Sequence, residues 1–179
     1  FNDKILFVKK KSEDYMITLY NMNEEKMMTL AAITAAQSFA GMKILLYGDL
    51  GSGKTFFVRH FIKALSKDSN INVSSPTFPV QRIYDTAPRT SHVDLYRIAD
   101  PDEIEYLDIF SDETMIYLIE WAEYLDYLMP QEYLKIRIDY TDKLELRNIT
   151  ILSDSEKYSL IIKRIDEWRK NNENRNSGT

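Results

Sequence analysis

The stretch from Lys43 to Thr55, Lys-Ile-Leu-Leu-Tyr-Gly-Asp-Leu-Gly-Ser-Gly-Lys-Thr, constrains the fold more than any other part of the chain. Ile44 to Tyr47 read as a buried strand that runs straight into a glycine-rich turn. Gly48, Gly53, Lys54 and Thr55 fit the spacing G-x-x-x-x-G-K-[ST] of a phosphate-binding loop. Gly51 and Gly53 let the backbone curl so that successive N–H groups point into one concavity suited to an anion. A helix opening near Gly53 aims its N-terminus at the same anion. Lys54 then carries its ammonium to the outer phosphates, and the Thr55 hydroxyl is placed to ligate Mg²⁺. Because strand, loop and helix pattern follow in the required order, a fortuitous glycine turn is the weaker reading. The loop predicts binding of a nucleoside triphosphate by Gly48, Asp49, Leu50, Gly51, Ser52, Gly53, Lys54, Thr55 and Phe56.

A chain of 179 residues suits one domain with a substantial core. The net charge of −5 argues against broad grip on nucleic acid, although it leaves room for a protein partner that itself holds RNA. The chain contains no cysteine, so disulfides, zinc thiolate sites and thiol catalysis are excluded. No apolar run reaches the length of a membrane span and no signal-peptide hydrophobic region opens the chain, which predicts a cytoplasmic protein.

Along the chain, Ile5 to Val8 read as an edge strand and Tyr15 to Tyr20 as a second. Asn23 is placed to cap a helix carrying Met27, Ala31, Ala35 and Phe39 on one face, with Gly41 closing it. Phe57, Phe61, Ala64 and Leu65 give the helix after the loop its buried face, ending near Ser66. Two prolines rule out helix in Ser74 to Pro79, and Val80 to Tyr84 with Ser91 to Tyr96 suggest an antiparallel hairpin. Asp100-Pro101-Asp102-Glu103 reads as a helix start that turns Ile104 and Leu107 inward. Met115 to Ile119 is apolar enough for a central strand. A short helix follows to Leu128, then strands at Leu134 to Ile138 and Leu146 to Leu152. Ser153 and Glu156 form a capping box for a last helix bearing Tyr158, Ile161, Ile162, Ile165 and Trp168. The pattern predicts a single-domain α/β, P-loop NTPase-like fold with a mixed β-sheet flanked by helices. The domain spans 1–170, followed by a polar, disordered tail at 171–179.

A phosphate loop needs acidic partners for Mg²⁺ at the ends of neighbouring strands. Glu120 ends the most hydrophobic strand; the competing reading is a carboxylate standing in solvent. Asp94 shares a strand face with His92 and Tyr96, the alternative being an ion pair with Arg97 or Arg82. Thr77 sits in the proline-bracketed loop, where a hydroxyl could close on the γ-phosphate. Lys54, Asp94, Glu120 and Thr77 are the candidate catalytic residues, and Thr55, Glu120 and Asp94 the candidate metal ligands. For Trp121, packing is favoured over stacking on a base.

Four segments together, Gly48-Asp49-Leu50-Gly51-Ser52-Gly53-Lys54-Thr55, Ser75-Pro76-Thr77-Phe78, His92-Val93-Asp94-Leu95-Tyr96-Arg97 and Ile119-Glu120-Trp121-Ala122-Glu123, resemble the signature series of the bacterial TsaE (YjeE) ATPases. The similarity runs from about Tyr15 to about Leu152. It implies a P-loop ATPase, slow alone and dependent on a partner, that uses ATP and Mg²⁺ to support threonylcarbamoyl transfer onto a tRNA adenosine. The implied partner is a TsaD–TsaB-type heterodimer, with tRNA met only through that complex. The resemblance puts Thr55 and Glu120 on the metal, Asp94 near it and the γ-phosphate, and Thr77 in a switch loop. The chain departs from the family pattern at Phe56 and Pro79, and Met27 and Met28 occupy the region where the family's adenine-side residues are expected.

Two other readings share the phosphate loop. A small-molecule kinase would need an acceptor pocket and an arginine-bearing lid, and no arginine follows Glu120 until Arg137. A nucleotide-gated binding module would hydrolyse little by itself.

Overall fold

The computed structural model describes residues 15–176 apart from 69, 77, 99 and 100. The expected strand at Ile5–Val8, the Asp100 cap and Thr77 therefore lie outside the described residues. Seven strands form one mixed sheet: β1 (Tyr15–Met22), β2 (Lys43–Tyr47), β3 (Gln81–Tyr84), β4 (Thr90–Asp94), β5 (Ile116–Glu120), β6 (Leu134–Tyr140) and β7 (Arg147–Ser153). Their order across the sheet is β1-β7-β6-β2-β5-β4-β3. The four central strands, β6, β2, β5 and β4, run parallel, and β1, β7 and β3 are antiparallel to their neighbours.

Strand periodicity sorts the core into two layers. Ile44 and Leu46 face one side of β2 and Leu45 the other, while β5 divides Ile116 and Leu118 from Tyr117 and Ile119 in the same way. On the first side lie α1 (Glu24–Ala36), α2 (Lys54–Leu65) and α4 (Ser159–Asn176). The second side is covered by α3 (Pro101–Tyr106) and a 3-10 segment, Ala122–Leu128. Strands buried on both faces must be apolar throughout, which is why β2 and β5 lack alternation. Each Ile or Leu buried there contributes about 1.5–3 kcal/mol relative to exposure.

The local signals acted largely as expected. Asn23 Oδ1 accepts the Lys26 N–H at 2.9 Å and starts α1. That helix stops at Ala36, however, where the Gln37 N–H turns to the Thr34 carbonyl; Gly41 takes the later turn into β2, bonding Met115 O. Ile104 is buried, but Leu107 lies past the end of α3 and is partly exposed. The capping box before α4 does not form. Ser153 Oγ donates to Tyr133 O at 2.7 Å, and Ser155 accepts the Lys157 N–H instead. Helix α4 continues through Asn176, beyond the boundary at 170 drawn from composition. Asp166–Arg169, Asp166–Lys170 and Arg169–Glu173 pairs one turn apart support its polar end. Among the described residues no helix is long and apolar enough to cross a membrane.

Parallel pairing has one consequence for the site. The C-terminal ends of β2, β5 and β4 lie side by side at one edge of the sheet, with Asp94 paired in register with Glu120.

Candidate functional site

The chain leaves β2 at Tyr47 and crosses Gly48 to Gly53 before α2 begins at Lys54. The loop is tight because Ser52 N–H bonds Asp49 O at 3.1 Å and Gly53 serves as the helix N-cap. Gly48 has φ +137 and passes against Ile138 O of β6, so that no side chain has room there. Helix geometry leaves the first N–H groups of α2 without intrahelical partners, and this turn borders the strand ends that carry Asp94 and Glu120. Leu50 projects into solvent, whereas Ser52 is buried and its hydroxyl has no partner among the described residues.

Lys54 folds back over this loop. Its ammonium donates to Gly48 O at 2.6 Å and Asp49 O at 3.0 Å, and lies 3.9 Å from the centre of the Trp121 ring. Burial pushes its pKa down, and the carboxylates of Glu120, Glu123, Asp94 and Asp49 pull against that. Trp121 packs in a row with Tyr96 and Tyr124, and its face also receives the lysine.

Two carboxylates stand beside the lysine, and each oxygen of each carboxylate accepts one donor. Glu120 takes the Thr55 hydroxyl on Oε2 at 2.8 Å and His92 Nε2 on Oε1 at 2.8 Å. Asp94 takes the Ser75 hydroxyl on Oδ2 and the Tyr96 N–H on Oδ1 at 3.0 Å. Both are buried, Glu120 at 2 % exposure and Asp94 at 4 %, which removes the reading of Glu120 as a solvent-facing strand end. The alternative ion pair of Asp94 is also absent. Arg82 bonds Ser74 Oγ at 3.3 Å, and the Arg97 guanidinium lies over the Phe78 ring.

These groups surround a cavity of about 370 Å³ lined by Lys54, Thr55, Asp94, Glu120, Arg97 and Trp121, with Ser75 and Phe56 at its wall. A second cavity, about 450 Å³, opens on the other side of the same loop between Met27, Phe56, Leu144 and Arg147. Lys54, Thr55, Asp94 and Glu120 are thus brought together, and loop residues Gly51, Gly53 and Phe56 border both cavities. Met27 is buried against the loop while Met28 is exposed, so only the first of the pair faces the second cavity.

The donor set suits a small hard cation: Thr55 and Glu120 offer a hydroxyl and a carboxylate. No group of three or more His, Cys, Asp or Glu side chains that could hold a metal occurs among the described residues. Mg²⁺ characteristically takes one or two carboxylates and fills the rest of its octahedron with phosphate and water, so two protein oxygens fit it.

Three features were not expected from sequence. His92, seen only as a neighbour of Asp94, bonds Glu120. Arg97 reaches the cavity from the β4 side, although no arginine follows Glu120 nearby. Arg147, at the start of β7, donates from Nε to Ser52 O at 3.0 Å and from Nη1 to Leu144 O and Leu146 O, and lies against the Tyr140 ring. The Tyr140 hydroxyl in turn bonds Leu50 O at 2.7 Å. This brace joins residues some ninety positions apart, and no motif in the sequence marks it.

Comparison with known proteins bears on the family and the fold. Residues 21–149 match the family model described as threonylcarbamoyl adenosine biosynthesis protein TsaE. A protein of Rickettsia felis named tRNA threonylcarbamoyladenosine biosynthesis protein TsaE is 36% identical over 143 residues, covering 78% of this chain and 81% of that one. Its namesake in Bacillus subtilis is 34% identical over 141 residues, covering 78% and 87%. The crystal structure of Bacillus subtilis YdiB superposes with a TM-score of 0.69 at 26% identity, over 87% of this chain and 97% of that one. With a family match across most of its length and the phosphate-loop, Ser-Pro-Thr-Phe, Asp94 and Glu120 segments in series, the chain belongs to the TsaE family.

Proposed function

We propose that this chain binds ATP with Mg²⁺ across the loop at 48–56 and hydrolyses it in support of threonylcarbamoyl modification of a tRNA adenosine. The observation that carries this reading is the convergence of Lys54, Thr55, Glu120 and Asp94 on one cavity at the N-terminus of α2. The phosphates lie along the loop N–H groups in that cavity, and the nucleoside occupies the cavity on the Met27 side. Lys54 exchanges its two loop carbonyls for phosphate oxygens, a swap of neutral acceptors for charged ones. Thr55 and Glu120 would hold Mg²⁺, which would supply positive charge against the terminal phosphoryl group. Asp94, fixed by Ser75 and Tyr96, orients the attacking water. Thr77 belongs to the loop that closes on the triphosphate. Amide exchange in residues 74–79 should then be slower with a non-hydrolysable ATP analogue than with ADP, and equal rates would remove the switch role.

The partner is a TsaD–TsaB-type heterodimer, and tRNA is met through it. The net charge of −5, and a run from Ile98 to Leu134 without lysine or arginine, oppose direct grip on a polyanion. Product analysis tests the reading. ADP and phosphate should appear without any acceptor, faster when the partner is added. Strict dependence on a small-molecule acceptor would make the protein a kinase, and no turnover with or without the partner would make it a binding module.

A further inference from the structure

His92 is a buried titratable group for which the proposed chemistry has no use. It lies in the middle of β4 with 0 % exposure, in register with Leu118 of β5 and on the same face, one pleat below the Asp94–Glu120 pair. Every residue of β4 is buried, and apolar side chains fill the neighbouring positions of β5. For packing alone a leucine or isoleucine would serve better, because an imidazole must shed its water to enter. It recovers one hydrogen bond, Nε2 to Glu120 Oε1 at 2.8 Å, while Nδ1 has no partner among the described residues. Glu120 as a carboxylate only accepts, so the shared proton sits on Nε2.

The geometry points to His92 as a positioning residue that fixes the plane of the Glu120 carboxylate; the inference rests on the reading of Glu120 as a metal ligand. With Oε1 tied to the strand below, Oε2 is the oxygen left to face Thr55 and the metal. Two errors are prevented. The carboxylate does not swing onto the Lys54 ammonium, whose charge interacts with Glu120 already. Nor does it present both oxygens to the cation. One-oxygen ligation suits the strict octahedron of Mg²⁺, whereas Ca²⁺ accepts two-oxygen ligation and higher coordination. His92 is therefore a selectivity device as well as a support, in the manner of partners that orient metal ligands from behind.

The test uses Mn²⁺ as a spectroscopic probe for Mg²⁺, with the full chain and a non-hydrolysable ATP analogue. Mn²⁺ affinity is read by electron paramagnetic resonance and Ca²⁺ affinity by competition. In His92→Gln the amide nitrogen reaches about as far as Nε2, whereas in His92→Asn it stops short, yet both place a polar side chain in the same pocket. His92→Asn should weaken Mn²⁺ about tenfold and Ca²⁺ much less, and His92→Gln should restore both the affinity and the ratio. An unchanged ratio in His92→Asn overturns the assignment. So does a loss that His92→Gln fails to restore, which would mean the ring is needed for packing. Glu120→Gln separates the two levels: unaltered Mn²⁺ affinity there removes the metal role of Glu120 and that of His92 with it. A loss in Glu120→Gln without one in His92→Asn removes the role of His92 alone.

Discussion

Replacing Gly48 with alanine gives the most calculable perturbation of the site, with Gly51→Ala as its control. At Gly48 the backbone has φ +137, a conformation that L side chains rarely adopt, and strain of this kind costs about 1–3 kcal/mol. An added Cβ would also collide with the backbone oxygen of Ile138 and come within 2.8 Å of Ser52 Oγ. Ile138 lies one residue past the end of the β2–β6 pairing but is paired with Ile149 of β7, so its carbonyl cannot retreat without straining that ladder; forcing the atoms apart adds about 1–3 kcal/mol. Together the two effects predict a loss of about 2–6 kcal/mol. Gly51 has φ +75, where alanine costs about 1–2 kcal/mol, and its Cβ would meet only the Tyr140 hydroxyl at 2.9 Å. That hydroxyl ends a half-exposed side chain that can swing aside at the loss of one hydrogen bond, to Leu50 O. Urea unfolding with a common slope should therefore place Gly48→Ala well below Gly51→Ala, and its melting temperature should fall by roughly 10 °C. If Gly48→Ala lost no more than Gly51→Ala, the fixed wall of β6 behind the loop would be the wrong description.

Arg147→Ala should weaken ATP analogue binding about tenfold in calorimetry, because it frees Ser52 O and the brace behind the loop; Arg147→Lys should not rescue it, since one ammonium cannot span three carbonyls. Unchanged affinity in Arg147→Ala would relegate the brace to packing. In a Trp168→Phe background, ADP should change the emission of Trp121 as the Lys54 ammonium leaves the ring face, and adenosine should not; identical spectra at saturating ADP would refute that movement. Burial alone would raise the pKa of Asp166, but hydrogen bonds from Lys170 and Arg169 outweigh it and hold the group below its ordinary 3.8. A depressed carboxylate stabilises the fold above the unfolded-state pKa and loses that contribution as pH falls through the folded value. Asp166→Asn should thus lower the melting temperature at neutral pH, with the difference from the parent closing below about pH 4; a constant gap across that range would refute the pairing.

The loop and the two carboxylates were legible because their chemistry is local: glycines at fixed spacing, and acids at the ends of apolar strands. Burial of Asp94 and Glu120 followed from the same strand pattern. Their partners were less legible, since His92–Glu120 and Ser75–Asp94 depend on which strands lie side by side. The order β2-β5-β4 is set by crossovers that leave no mark at either residue. Arg147 and Tyr140 were invisible for a similar reason, because β6 and β7 return to the loop only through the sheet. Lys54 shows the opposite error. Sequence reasoning carries its ammonium to the outer phosphates, yet here it bonds Gly48 O and Asp49 O. Helix ends were displaced where a side chain found another acceptor, as Ser153 did with Tyr133 O.

The central claim, that the Gly48–Thr55 loop is a nucleotide site, is tested most directly by calorimetric titration of Mg²⁺ and ATP analogue into the parent chain and Lys54→Ala. Loss of two charge-assisted contacts to phosphate predicts a fall of at least about 100-fold in affinity, at about 1.5–3 kcal/mol each. Far-UV dichroism of Lys54→Ala should match the parent, with a small drop in melting temperature from the two freed carbonyls. Equal affinity in the two proteins would contradict the claim and move the nucleotide away from this loop.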